Sequence, residues 1–93
     1  MNFADAIILR QIASKPKSIA IIMFETGILG ETIRNRMKKL TAEGLAIASG
    51  SKPILYSATD KAKEAIAEFE KKWGVKIEGW EIQQRFYNNK LHH

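Results

Sequence analysis

Four cations fall close together near the middle of the chain: Arg34, Arg36, Lys38 and Lys39, within TGILGETIRNRMKKLTAEGL, residues 26–45. Guanidinium and ammonium groups at this density can neutralise phosphates. Arg34 suits guanine, through two parallel hydrogen bonds, and Asn35 suits adenine in the same way. Thr32 can meet a phosphate or a thymine methyl. Glu31 repels phosphate, so it either accepts from a cytosine amine or helps a helix begin. The same run also fits a plain solvated surface helix. Other chemistries find little support. There is no cysteine, which excludes disulfides and thiolate metal sites. The only histidines are His92 and His93, which lack an anchored partner ligand and could be a tag remnant. No nucleophile–base pair and no paired carboxylates appear, and TGILGET lacks the lysine of a phosphate-binding loop. The expectation is a protein that is not an enzyme and has no cofactor or metal.

The cations must be held by helices. Residues 3–14 read as a helix with Asn2 as N-cap, ended where Pro16 pushes Lys15 out of helical space. Ile8, Leu9 and Ile12 make one apolar side; Phe3, Ala4 and Ile7 make a second, which calls for an extra packing partner. Ser18 caps an almost wholly apolar helix over 19–25, in which Ile21, Met23 and Phe24 are expected in the core. Gly27 suits the left-handed position that ends it. Residues 30–43 form the basic helix, with Ile33, Met37 and Leu40 in one narrow arc and Gly44 as the stop. LAIAS and ILYS around GSKP predict a β-hairpin. Thr59 caps a helix over 60–72, with Asp60 in its first turn; Ala62, Ala65, Ile66, Phe69 and Trp73 share a face. Val75 and Ile77 alternate with charge and permit a short extended piece. Trp80, Gln83, Tyr87 and Leu91 fit one face of a last helix over 80–90.

The order helix, helix, turn, helix, hairpin, helix is mainly α with a small β-hairpin, an α+β class. In that order the segments SIAIIMFETGILGETIRNRMKKLTAEGLA and YSATDKAKEAIAEF resemble the winged helix-turn-helix domain of bacterial and archaeal transcriptional regulators, the MarR-like and ArsR-like group. The resemblance runs from Ser18 to Phe69, and helix 3–14 extends it. It implies a domain over 1–73 with a C-terminal extension over 74–93. It further implies that 30–43 is a recognition helix for the major groove of double-stranded DNA and that 50–53 is the wing. The exposed face would then be Glu31, Thr32, Arg34, Asn35 and Lys38, with Arg36 and Lys39 at its margins. Lys52 in the wing, and Lys15 and Lys17 before the second helix, would touch the backbone. Two departures stand out: Leu29 sits where the family offers a Ser or Thr cap, and the wing is short with one cation.

Charge agrees with a polyanion partner. The chain of 93 residues carries a net charge of +5. Residues 30–44 hold a net +2, whereas 60–72 is neutral. The longest apolar run, 19–24, is far below the roughly 20 residues of a membrane span, and the N-terminus has no leader pattern. A cytoplasmic protein with no membrane partner is expected. Phe3, Ile7, Trp80, Phe86 and Tyr87 exceed what the central core needs. They could pack on one another or form a homodimer interface. The function expected is sequence-specific DNA binding by a small transcriptional regulator, such as a repressor. A protein-interaction module and a replication or plasmid-maintenance factor are the alternatives.

Overall fold

Each helix begins at a side chain that can satisfy its free N–H groups, with one exception. The computed structural model describes residues 1–77. The first helix, α1, spans Phe3–Ser14. The Asp5 N–H donates to Asn2 Oδ1 at 2.7 Å, and the Asn2 N–H donates back to Asp5 Oδ2 at 3.3 Å. This reciprocal box closes two orphan donors. The second, α2, spans Ile19–Thr26 and starts with the Ile21 N–H donating to Ser18 Oγ at 3.3 Å. It stops at Gly27, whose φ of 75° lets its N–H reach the Met23 carbonyl at 2.8 Å. The third, α3, spans Gly30–Ala42 and is the exception: Leu29 precedes it and gives no side-chain cap. The fourth, α4, spans Asp60–Trp73, with the Ala62 N–H donating to Thr59 Oγ1 at 3.2 Å.

Strands β1, Ala46–Ser49, and β2, Leu55–Ala58, pair antiparallel with Ala46 opposite Ala58 and Ser49 opposite Leu55. The hairpin is thus shifted slightly from the sequence reading: Ile54 belongs to the turn, and Ala58 to the strand. Along the other edge of β2, the Lys17 N–H donates to the Tyr56 carbonyl at 3.0 Å, and the Tyr56 N–H to the Lys17 carbonyl at 2.8 Å. The connector between α1 and α2 is therefore stitched to the sheet. Thr59 does more than cap α4. Its hydroxyl donates to the Gly44 carbonyl at 2.8 Å, which ties the start of α4 to the end of α3.

Among the described residues the result is mostly helical, four helices with a two-stranded antiparallel hairpin. One core joins Ile8, Leu9 and Ile12 of α1, Ile22 of α2, the Ile33–Met37–Leu40 arc of α3, Leu45, Ala46, and Ala62 with Ile66 of α4. Truncating Leu9 or Ile66 to Ala there costs about 3 kcal/mol, the transfer term plus the cavity left behind. The second side of α1 is partly covered from within the chain, Phe3 lying edge-on to Phe69 and Ile7 packing beside it. Ala6 and Ile7 meet Phe69 and Ile77 in a separate cluster, and Ile77 is fully buried. The Ile77 N–H donates to Glu70 Oε2 at 2.7 Å, holding the chain against α4 just past the helix end. Residues 75–77 form no strand.

The expectation that Ile21, Met23 and Phe24 lie in the core is wrong. Of α2's apolar residues only Ile22 is fully covered, and Phe24 is 87% exposed. A helix this short lies against the body along one side only. An apolar composition all round cannot bury the other side, whatever its hydrophobicity. Trp73 likewise stays exposed, at the end of the α4 face whose other members pack inward. The final helix read over 80–90 lies outside the described residues.

Candidate nucleic-acid interface

Helix α3 is amphipathic, and its buried arc sets which side it turns outward. Ile33, Met37 and Leu40 are fully buried, so the helical period of 100° per residue turns Glu31 and Asn35 straight outward. Arg34 and Lys38 lie on one flank of that ridge; Thr32 and Lys39 lie on the other. Glu31, Thr32, Arg34, Asn35, Lys38 and Lys39 are all exposed. Among the described residues, Arg34, Lys38 and Lys39 enter no ion pair and no side-chain hydrogen bond. Glu31 in the first turn and Lys39 in the last also complement the helix dipole.

The flank carrying Arg34 and Lys38 faces an open concavity of about 660 Å³. Its other wall is the hairpin, through Ala48, Ser51, Pro53, Ile54 and Tyr56, and its end is the start of α2 at Ser18–Ala20. The elements that close it are those whose positions were set above: the Lys17–Tyr56 pairing brings the start of α2 to β2, and the turn 27–29 sets α3 beside α2. Gly50 shapes the hairpin tip. It sits at φ 78°, and a Cβ there would come within 3.1 Å of the Pro53 carbonyl oxygen. Lys52 on this tip and Lys15 in the first connector are exposed, and neither forms an ion pair among the described residues.

Two of the cations expected to face DNA, Lys17 as a backbone contact and Arg36 at the margin of the recognition face, stand elsewhere. Lys17 is 6% exposed. Its Nζ donates to Gln11 Oε1 at 2.8 Å and pairs with Glu25 Oε2 at 3.0 Å. It joins α1 to α2 and offers nothing to an outside phosphate. A buried ammonium needs such partners, because desolvation otherwise penalises the charge heavily. Arg36 points off the ridge toward the N-terminal end of α1, where its Nε lies 3.7 Å from Asp5 Oδ1. Asp5 is 4% exposed, and Oδ1 accepts no hydrogen bond among the described residues. Arg36 is therefore the charge that balances it. Sequence reading missed Gln11 and Asp5 as partners. The capping pattern Asn2-x-x-Asp5 could have placed the carboxylate at the start of α1, but nothing local couples it to Arg36.

The residues expected at a homodimer interface divide. Phe3 keeps about half its surface exposed, with its ring edge-on to Phe69 at 4.9 Å and 5.9 Å from Trp73. Ile7 is partly buried beside Ala6, Phe69 and Ile77. Trp80, Phe86 and Tyr87 lie outside the described residues, as do His92 and His93. Among the described residues, no group of three or more His, Asp and Glu side chains could hold a metal, and no helix is long and apolar enough to cross a membrane. No known protein family, no curated protein and no solved structure matches this chain.

Proposed function

We propose that this chain is a winged helix-turn-helix protein that binds double-stranded DNA and serves as a small transcriptional regulator. The observation that supports the reading best is the outer face of α3. It presents Arg34, Asn35, Lys38 and Lys39 to solvent, the three cations forming no ion pair among the described residues, beside a hairpin carrying Lys52. An α-helix of this kind fits the major groove of B-DNA, with donors at base edges and flanking cations on phosphates. The hairpin tip, residues 50–53, acts as the wing. Dimerisation through Phe3 and the C-terminal aromatics would give two such helices for two half-sites about one helical turn apart. The protein acts in the cytoplasm, where its DNA is.

Anisotropy of a labelled random-sequence duplex tests this. With about four phosphates neutralised per copy, affinity falls roughly a hundredfold between about 50 and 200 mM salt. No binding at low salt rejects the reading. A second reading, a protein-interaction module, draws on the outer side of α2. There Phe24 is 87% exposed and Leu29 at the following turn 73%, a larger apolar display than solubility requires. A monodisperse monomer by light scattering, together with no duplex binding, favours that reading.

A further inference from the structure

Helix α3 is held unevenly. Its C-terminal end is tied to the start of α4: the Thr59 hydroxyl donates to the Gly44 carbonyl at 2.8 Å, and Lys61 Nζ donates to the Glu43 carbonyl at 3.0 Å. Its N-terminal end lacks a side-chain cap. Buried Ile33, Met37 and Leu40 set the depth of the helix and the side it turns to the core; a directional tie on one flank trims the roll that remains. Among the described residues, the one ion pair from α3 to the rest of the body is Arg36 to Asp5, at 3.7 Å. It stands on the flank opposite the hairpin concavity. Asp5 is itself fixed, because its Oδ2 is held in the capping box of α1 and it is almost fully buried.

We infer that Asp5 is a positioning residue for the DNA face: by holding Arg36 it trims the roll that the buried arc of α3 sets, and so the direction in which Arg34, Asn35 and Lys38 point. Asp5 touches no DNA, and Arg36 acts as a strut. This rests on the duplex-binding reading above. It also makes a claim about the free protein that stands apart from DNA.

Electrostatics and positioning predict opposite signs, which makes the inference testable. Asp5→Asn retains an oxygen for the Asn2 N–H and raises the net charge by one. On charge alone, affinity for every duplex rises. If Asp5 positions α3, discrimination falls instead. The assay compares a duplex selected from a random pool by the wild-type protein with a random-sequence duplex of equal length. Asp5→Asn is expected to lower the ratio of the two affinities about fivefold, while affinity for the random duplex holds or rises slightly. Arg36→Met, which keeps the aliphatic stem, lowers the ratio equally. The double variant loses no more than either single one, because both remove the same tie.

An unchanged ratio in Asp5→Asn overturns the inference. So does full additivity in the double variant. A salt slope lowered by about 0.9 in Arg36→Met also overturns it, since that is the mark of a lost phosphate contact. Amide hydrogen exchange on the free protein gives a second, DNA-independent arm. Asp5→Asn should speed exchange over the first two turns of α3 several-fold and leave α4 unchanged; equal rates in α3 refute the strut. If the wild-type protein retains no duplex from the pool, the duplex-binding reading fails, and the exchange arm alone decides whether Asp5 holds α3.

Discussion

Lys17 and Lys38 carry the same side chain, and both belong to elements that border the hairpin concavity, yet they do opposite work. Lys17 is buried between Gln11 and Glu25 and joins α1 to α2. Lys38 stands in solvent on the flank of α3, unpaired among the described residues. The two arginines of α3 divide in the same way, Arg36 toward Asp5 and Arg34 toward the concavity. The type of the cation decides nothing here. A cation becomes structural where the fold brings it a carboxylate in a pair with at least one partner largely shielded from water, and it stays available for a partner where the fold brings none. A phosphate contact is easily made by the second kind. For the first kind it would require breaking a pair and leaving a desolvated carboxylate behind.

The sharpest way to break this division is to remove the available pair. Arg34→Ala with Lys38→Ala should cost about 3 kcal/mol in duplex affinity, roughly a hundredfold, from two lost contacts of about 1–3 kcal/mol each. Both side chains are solvent-exposed, so thermal unfolding of the double variant should match the wild type within about 1–2 °C. A variant that binds as before would show that the exposed cations are mere solvation.

The complementary test moves stability and does not weaken binding. Glu25→Ala strips Lys17 of its carboxylate and leaves a buried ammonium with Gln11 as its remaining side-chain acceptor. The cost should be about 2 kcal/mol in chemical denaturation, below the range for a wholly buried pair because the Glu25 side chain is partly exposed. Duplex affinity, measured where the variant is fully folded, should not fall; with one carboxylate fewer it holds or rises slightly. A loss of affinity without a loss of stability would mean that Lys17 serves the interface after all. Lys39→Ala is the smaller probe. It lies on the ridge flank away from the concavity, and its removal should weaken all duplexes about threefold and reduce the salt slope by about 0.9, with no change in sequence preference.

Much of this fold is legible locally, and the limits of that reading follow from distance along the chain. Asn2, Ser18 and Thr59 mark helix starts because each acts on N–H groups two or three residues ahead. Gly27 and Gly44 mark stops for an equally local reason, a left-handed backbone. The hairpin and the buried arc of α3 also follow from short-range pattern. Lys17 and Arg36 escape such a reading because their partners are set by tertiary packing: Gln11 and Glu25 come from two different helices, and Asp5 from the first turn of α1. The outer side of α2 escapes it for another reason, since apolar character says which residues prefer burial. It does not say how much surface the neighbours can cover, and α2 meets the body along one side.

The unequal caps give the last and smallest test. Ser18 and Thr59 start α2 and α4 with hydroxyl acceptors, whereas α3 starts after Leu29, whose side chain is 73% exposed and accepts nothing. Leu29 has an extended ψ of 139°, which suits an N-cap, and its carbonyl already accepts from the Ile33 N–H at 3.0 Å. Leu29→Ser therefore places an oxygen where the backbone is ready for it, and little apolar burial is lost. The variant should gain about 0.5–1 kcal/mol of stability, read as a higher denaturation midpoint at unchanged slope. It should also slow amide exchange in the first turn of α3, and thereby make Asp5→Asn less damaging to discrimination, since a capped helix depends less on the strut. Were the gain in stability absent, the first turn of α3 would already be as firmly held as those of α2 and α4, and the contrast between a loose start and a tied end in this helix would have no energetic content.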